Sequence, residues 1–454
     1  MAARRGGAGG CFRNRHDSGC RAGRNAPNAP NAPNDPNAPN DPDDPDDPDD
    51  RGMRRSDACR SFLPVYSSAR SPPEERSAAG NRAERSREPS FFTAGDTTPK
   101  GKYGYFCAME KTITESRAAL FSALGEQLRT FIDSASAPEL FARAEAANGW
   151  FTRREIRRAL EAICSHMLNR QALDAWLAAY DLHGVRPRHV GVIMAGNIPL
   201  VGFFDLLCVT ACGHVCHYKP SAKDTVLTEW IVGRLKRLDP ALPLFRYTEQ
   251  SPIEAVIATG SDNTNRYFRM RYGSMPALLR GSRASAAVLT GGETAEEIEG
   301  LCDDILLYSG LGCRNVSLLF LPRGYDFAPL GRALARRERE LNPKWRNNYL
   351  QTRALAHLSA EKYIDCGSAI LCEKSDFPTQ ISRIDYAYYD EPEEAARWLR
   401  EHDARIQCVV SGNPALHPRC VPFGEAQSPR LTDYPDAVDV MEFLRGIGLD
   451  RSAV

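Results

Sequence analysis

Short, wholly apolar runs alternate with longer amphipathic stretches from residue 189 to about residue 413. The runs at 189–195, 215–219 and 255–258 are too short for buried helices, so each reads as a strand covered on both faces. Between them, 200–212 is apolar and helical in length. The stretch 224–238 sets Val226, Trp230, Ile231 and Leu235 on one side, and 263–271 is a short helix. Strands alternating with helices of this length signal a parallel α/β sheet. Such a sheet binds ligands beyond the carboxyl ends of its strands. Three polar loops lie at those ends: Gly196-Asn197, Lys219-Pro220-Ser221 and Thr259-Gly260-Ser261. A second α/β segment follows, with a strand at 286–290, a helix at 294–308, the turn Ser309-Gly310-Leu311-Gly312-Cys313-Arg314-Asn315, and a strand at 316–321.

Upstream, 109–180 has a helical period, with Leu120, Leu124, Leu128 and Ile132 on one face and Ile156, Leu160, Ile163 and Met167 on another. Thr152 is suited to cap a helix and Pro138 to its first turn. Residues 1–108 are different. They hold 13 of the 31 prolines and a tract from Asn25 to Asp50 of Asn-Ala-Pro, Asn-Asp-Pro and Asp-Asp-Pro triplets. With no side chain there larger than Asn or Asp and no aromatic, the tract cannot offset its ordering entropy and is expected to be disordered. Triplets this regular also arise when short repeated DNA is translated. The sequence expectation is therefore that the natural chain starts at Met109, where a helix begins.

Charge narrows the partners. The first 108 residues carry 17 basic and 15 acidic groups, leaving 41 and 43 in the body. A near-neutral body argues against nucleic acid, which needs a concentrated positive field. The longest apolar stretch, 191–218, is interrupted by Asn197, Pro199, Asp205 and His214, and reads as strand, helix and strand in a core, with no membrane span. Ten cysteines scattered through the body fit a reducing cytoplasm. Cys208, Cys212 and Cys216 with His214 and His217 lack zinc-site spacing, so no metal is expected. Asp205 in an apolar helix requires a buried partner.

Cys313 follows a glycine-rich turn and precedes a buried strand. A thiolate there could attack a carbonyl carbon while its own N–H helps hold the oxyanion. The series Ala195-Gly196-Asn197-Ile198-Pro199-Leu200, Tyr218-Lys219-Pro220-Ser221, Ala258-Thr259-Gly260-Ser261 and Gly310-Leu311-Gly312-Cys313 resembles the aldehyde dehydrogenase superfamily in order and approximate spacing. More narrowly, 257–264, 312–317 and 423–429, with Asp433-Tyr434 and Val438-Asp439, resemble the LuxC-type acyl-CoA reductases. The resemblance spans Met109 to the C-terminus. It implies an aldehyde dehydrogenase-like α/β fold. Residues 109–284 would form the N-terminal helices and a Rossmann-like, parallel-sheet cofactor domain. Residues 285–425 would form the α/β catalytic domain, and 426–454 a C-terminal segment packing back on the body, behind a disordered extension at 1–108.

The resemblance also implies roles. Cys313 matches the nucleophile, and Asn197 the side-chain amide that stabilises the oxyanion with the Cys313 N–H. Lys219 and Ser221 match residues beside the adenosine ribose, and Gly260 and Ser261 the turn over the cofactor phosphates. Two departures matter. Hydrolytic relatives carry a water-activating glutamate where this chain has Leu279, so an acyl thioester at Cys313 should persist for reduction. NAD-preferring relatives often follow Lys-Pro-Ser with glutamate, whereas here Ala222 and Lys223 follow, which favours NADPH. The expected activity is NADPH-dependent reduction of a long-chain acyl thioester, carried by coenzyme A or by a protein, to the fatty aldehyde. The alternatives are oxidation of an aldehyde to an acid or acyl-CoA, and a non-catalytic acyl-binding subunit. Family analogy adds an acyl-activating enzyme or acyltransferase as partner in a fatty-acid reductase complex, and a homo-oligomer.

Overall fold

The computed structural model describes the backbone of residues 100–449 and the side chains of residues 115–449. The Asn-Pro-Asp tract read as disordered lies outside the described residues. The chain enters through α1 (Lys100–Ile132), α2 (Ala137–Ala147), α3 (Arg153–Ala162) and α4 (Arg170–Ala178). The helix expected to begin at Met109 begins instead at Lys100. The chain has no proline between Pro99 and Pro138 to stop a helix, so local sequence sets no boundary at Met109. Thr152 caps α3 in a reciprocal box with Glu155, and Pro138 sits in the first turn of α2.

The first sheet is built from β1 (His189–Ile193), α5 (Phe203–Ala211), β2 (Val215–Lys219), α6 (Thr225–Leu238), β3 (Leu244–Arg246), β4 (Ala255–Thr259), α7 (Asp262–Tyr272) and β5 (Ala277–Arg280). Its strand order is β3-β2-β1-β4-β5, with every pairing parallel. The order reverses between β1 and β4, so the loops after those two strands part and leave a crevice at their carboxyl ends. Helices α1–α6 bury one face of this sheet, with Phe121, Leu124, Leu128, Leu206, Leu207 and Leu227 fully enclosed. On the other face α7 packs through Phe268 and Tyr272 on Ile193, Val256 and Ala258. The short strands β3 and β5 have no counterpart in the sequence reading.

The second sheet follows with β6 (Ala284–Val288), α8 (Ala295–Leu306), β7 (Val316–Pro322), α9 (Ala328–Arg337), α10 (Pro343–Leu358), β8 (Tyr363–Asp365), β9 (Ile370–Glu373), β10 (Arg383–Tyr389), α11 (Pro392–Glu401), β11 (Ile406–Val410) and β12 (Cys420–Val421). Its order is β12-β11-β6-β7-β10-β9-β8, parallel except for the β8–β9 pair. The chain then returns to the first sheet. Helix α12 (Val440–Gly448) buries Val440, Met441 and Leu444 in the same core as α5. Among the described residues no helix is long and apolar enough to cross a membrane.

Candidate active site

The turn carrying Cys313 is held by unusual backbone. Tyr308, Ser309 and Gly310 all lie in the left-handed region, at φ 55°, 54° and 63°. For the two non-glycine residues this costs energy that the surroundings must repay. Trp345 is fully buried against Gly310, and a Cβ there would meet its ring at 2.6 Å. Glu155, itself buried, accepts a backbone hydrogen bond from Ser309; burial raises its pKa. Asn315 fastens the other end. Its Oδ1 accepts the Gly312 N–H at 2.8 Å, and its Nδ2 donates to the carbonyls of Asp304, Ile305 and Leu307. The hydroxyl of Ser285 donates to the Cys313 carbonyl at 2.9 Å and accepts the Cys408 N–H at 3.2 Å. The Cys313 backbone is thus tied to β6 and β11.

The Cys313 side chain is open to solvent on one side while protein crowds it on the others. That crowding pushes the thiol up to about 11, against the pull of the Arg314 guanidinium. At neutral pH the resting group is therefore the thiol, the less nucleophilic form. Arg314 in turn donates to the Asp433 carbonyl at 2.8 Å.

The expected amide donor reaches this turn from the first sheet. Asn197 Nδ2 donates to the Leu311 carbonyl at 2.5 Å, across 114 residues of sequence. An amide nitrogen has two hydrogens, so one remains for a second acceptor. The loop that presents Asn197 is shaped by a residue the sequence reading passed over. Asp224 is buried and accepts the Leu200 N–H at 2.7 Å, holding Leu200 at φ 57°. Burial drives the Asp224 carboxyl up to about 8. An isolated aspartate at a helix start reads as an ordinary cap; only the position of Leu200 shows its other use.

The four expected cofactor contacts lie at the carboxyl ends of β2 and β4. Ser221 accepts the Lys223 N–H and lies so close to Gly196 that a Cβ there would sit 2.6 Å from its hydroxyl. Lys219 closes β2, opposite Ile193 of β1. Gly260 admits Thr264 and Phe268, where a Cβ would be 2.9 Å from the Thr264 side chain. Ser261 caps α7 by accepting the Thr264 N–H. The Gly260–Ser261 turn thus opens an 11-residue helix whose N-terminus suits an anion. Asn197 is thus joined to the Cys313 turn through the Leu311 carbonyl, while the other four lie at the carboxyl ends of β2 and β4.

Leu279, where the sequence lacks a glutamate, packs against the apolar cluster of Ile193, Ala258 and Phe268. Asp205 finds its partner in Arg280, 2.6 Å away, both side chains almost fully buried. Nearby, Asp436 pairs with Arg283 at 3.1 Å and so ties the C-terminal segment to the link between the sheets. The thiols and imidazoles weighed as zinc ligands are engaged separately. His214 faces the Leu444 carbonyl at 3.0 Å, His217 faces His189 at 2.9 Å, and Cys212 lies against Met441. Among the described residues, no three metal-binding side chains converge.

No protein-family model matches the chain, and no curated protein matches its sequence. Solved structures do match its shape. Aldehyde dehydrogenase 21 from Physcomitrella patens, in complex with the product succinate, superposes with a TM-score of 0.54 at 11% identity, covering 74% of this chain and 85% of its own. A putative aldehyde dehydrogenase from Burkholderia cenocepacia gives 0.54 at 14% identity, covering 73% and 85%. Betaine aldehyde dehydrogenase from Staphylococcus aureus, with NAD+, gives 0.50 at 12% identity, covering 68% and 75%. The fold is aldehyde dehydrogenase-like.

Proposed function

We propose that this protein reduces a fatty acyl thioester to the aldehyde with NADPH, through an acyl-Cys313 intermediate, as a LuxC-type acyl-CoA reductase would. The observation that carries the reading is the hydrogen bond from Asn197 to Leu311, which sets a side-chain amide two residues from the thiol. Cys313 as thiolate would attack the thioester carbonyl. The oxyanion would then lie between the second Asn197 N–H and the Cys313 N–H, donors that stabilise best when fixed before the charge develops. The substrate thiol leaves, and the acyl group stays on Cys313. Leu279 offers no carboxylate to activate water, which favours an acyl-enzyme that persists.

The loops after β1, β2 and β4 suit a dinucleotide, since Gly196 lets Ser221 pack against its backbone and Gly260 lets Thr264 and Phe268 close over the start of α7, where the helix N-terminus favours phosphate. Lys219 and Ser221 would border the adenosine ribose, and Gly260 and Ser261 the phosphates. When bound, NADPH would supply the hydride that reduces the acyl group. Ala222 in place of a carboxylate removes repulsion against a 2′-phosphate, with Lys219 and Lys223 close in sequence.

The test is to mix the protein with an acyl-CoA and NADPH, following nicotinamide absorbance and the product. Aldehyde formed faster with NADPH than with NADH is the expected result. Equal efficiency with both cofactors would remove the NADPH assignment, and free acid as the product would remove the reductive one. Oxidation of an aldehyde, the activity named for the structures of like fold, is the second reading, and Leu279 weighs against it. By analogy the acyl donor comes from an acyl-activating enzyme or acyltransferase.

A further inference from the structure

A second side-chain amide stands against the turn that carries Cys313. Gln427 belongs to the C-terminal segment and is 7% exposed. Its Oε1 is 3.7 Å from where a Cβ on Gly312 would be, and Ile198, next to Asn197, reaches that same point at 3.7 Å. Gln427 and the Asn197 loop therefore both reach the residue just before Cys313. The Gln427 Nε2 is buried and has no hydrogen-bond partner. A buried donor with no protein partner is available to a ligand acceptor, and leaving it unpaired costs free energy.

The backbone next to Gln427 is held firmly. The Asp304 carboxylate accepts the Gly424 N–H at 2.7 Å and the Ala426 N–H at 3.0 Å. Gly300 of α8 and Gly424, the latter at φ 83°, meet so closely that a Cβ on Gly300 would lie 2.9 Å from the Gly424 nitrogen. The backbone carbonyl of Asp304 also accepts Asn315 Nδ2, whose Oδ1 holds Gly312. One residue of α8 thus fixes the Gln427 turn through its side chain and the Cys313 turn through its backbone.

We propose that Gln427 is a further catalytic residue, whose amide donates to the carbonyl oxygen of the acyl group attached at Cys313. This rests on the acyl-Cys313 reading. The two are separable because acyl transfer from p-nitrophenyl acetate to Cys313 needs neither coenzyme A nor a nicotinamide. For Gln427→Leu, that transfer should slow about 10- to 100-fold, with the decanoyl-CoA KM held within about threefold. Alkylation of Cys313 by iodoacetamide, which creates no oxyanion, should keep its wild-type rate, and Gln427→Asn should restore part of the transfer. Acyl transfer within about threefold of wild type overturns the proposal, as does a parallel loss of transfer and alkylation, which would mark a structural role. Aldehyde formation surviving in Cys313→Ala overturns the parent reading instead.

Discussion

At the scale of single residues, the proposed chemistry would draw on groups held away from their ordinary behaviour. Cys313 is the first. With its thiol raised to about 11, alkylation by iodoacetamide in the free protein should be slow at pH 7 and rise about tenfold per pH unit towards pH 10. A plateau near pH 7 would contradict this. Cys313→Ala should lose acyl-enzyme formation and cut aldehyde production by about a thousandfold or more, read by acyl labelling and turnover. Asp224 is the second. Its raised carboxyl binds a proton more tightly folded than unfolded, so its stabilising contribution is complete below pH 4 and is lost as pH climbs to about 8. Urea melts at pH 5 and pH 8.5 should show Asp224→Asn gaining on the wild type at the higher pH; an unchanging difference would mean that Asp224 titrates normally.

The elements place these groups, and their strength comes from packing and backbone geometry. Gly310→Ala forces a Cβ against Trp345 at a left-handed position, so it should cost about 1–3 kcal/mol and lower the melting temperature. Leu444→Ala in α12 empties space in the core shared with α5, at a cost of about 2–5 kcal/mol by urea denaturation. Because α12 is sequence-distant from that core, the same variant would test whether the C-terminal segment unfolds with the first sheet in one transition. Much at this scale was legible beforehand. Thr152, read as a cap, does cap α3 through a contact three residues away, so the local sequence carries the signal. β3 and β5 were not legible, since strands of three and four residues beside proline and glycine are too short to show a period.

Across the described residues, two sheets and a returning C-terminal segment meet at the turn that carries Cys313. Asn197 comes from the first sheet, Ser285 and Asn315 from the second, and Arg314 reaches out to the Asp433 carbonyl. The Arg283–Asp436 pair is mostly buried and joins the C-terminal segment to the link between the sheets. Removing one partner leaves the other charge buried and unpaired, which is more damaging than losing a surface pair. Asp205–Arg280 follows the same logic over 75 residues.

Sequence alone marked the longer strands and helices of the first sheet, where the glycine and amide loops fall, and which thiol follows the turn. Those properties depend on neighbours within a few residues, where periodicity and capping chemistry act. It also marked Asp205 as needing a partner without naming Arg280. Only the tertiary structure decided that Asp224 shapes the Asn197 loop, that Asn315 and Glu155 hold the left-handed turn, and that Gln427 stands beside Gly312. Each of these contacts except that of Asn315 joins residues more than twenty positions apart. Their side chains acquire a role only when burial removes water and leaves one another as the available partners.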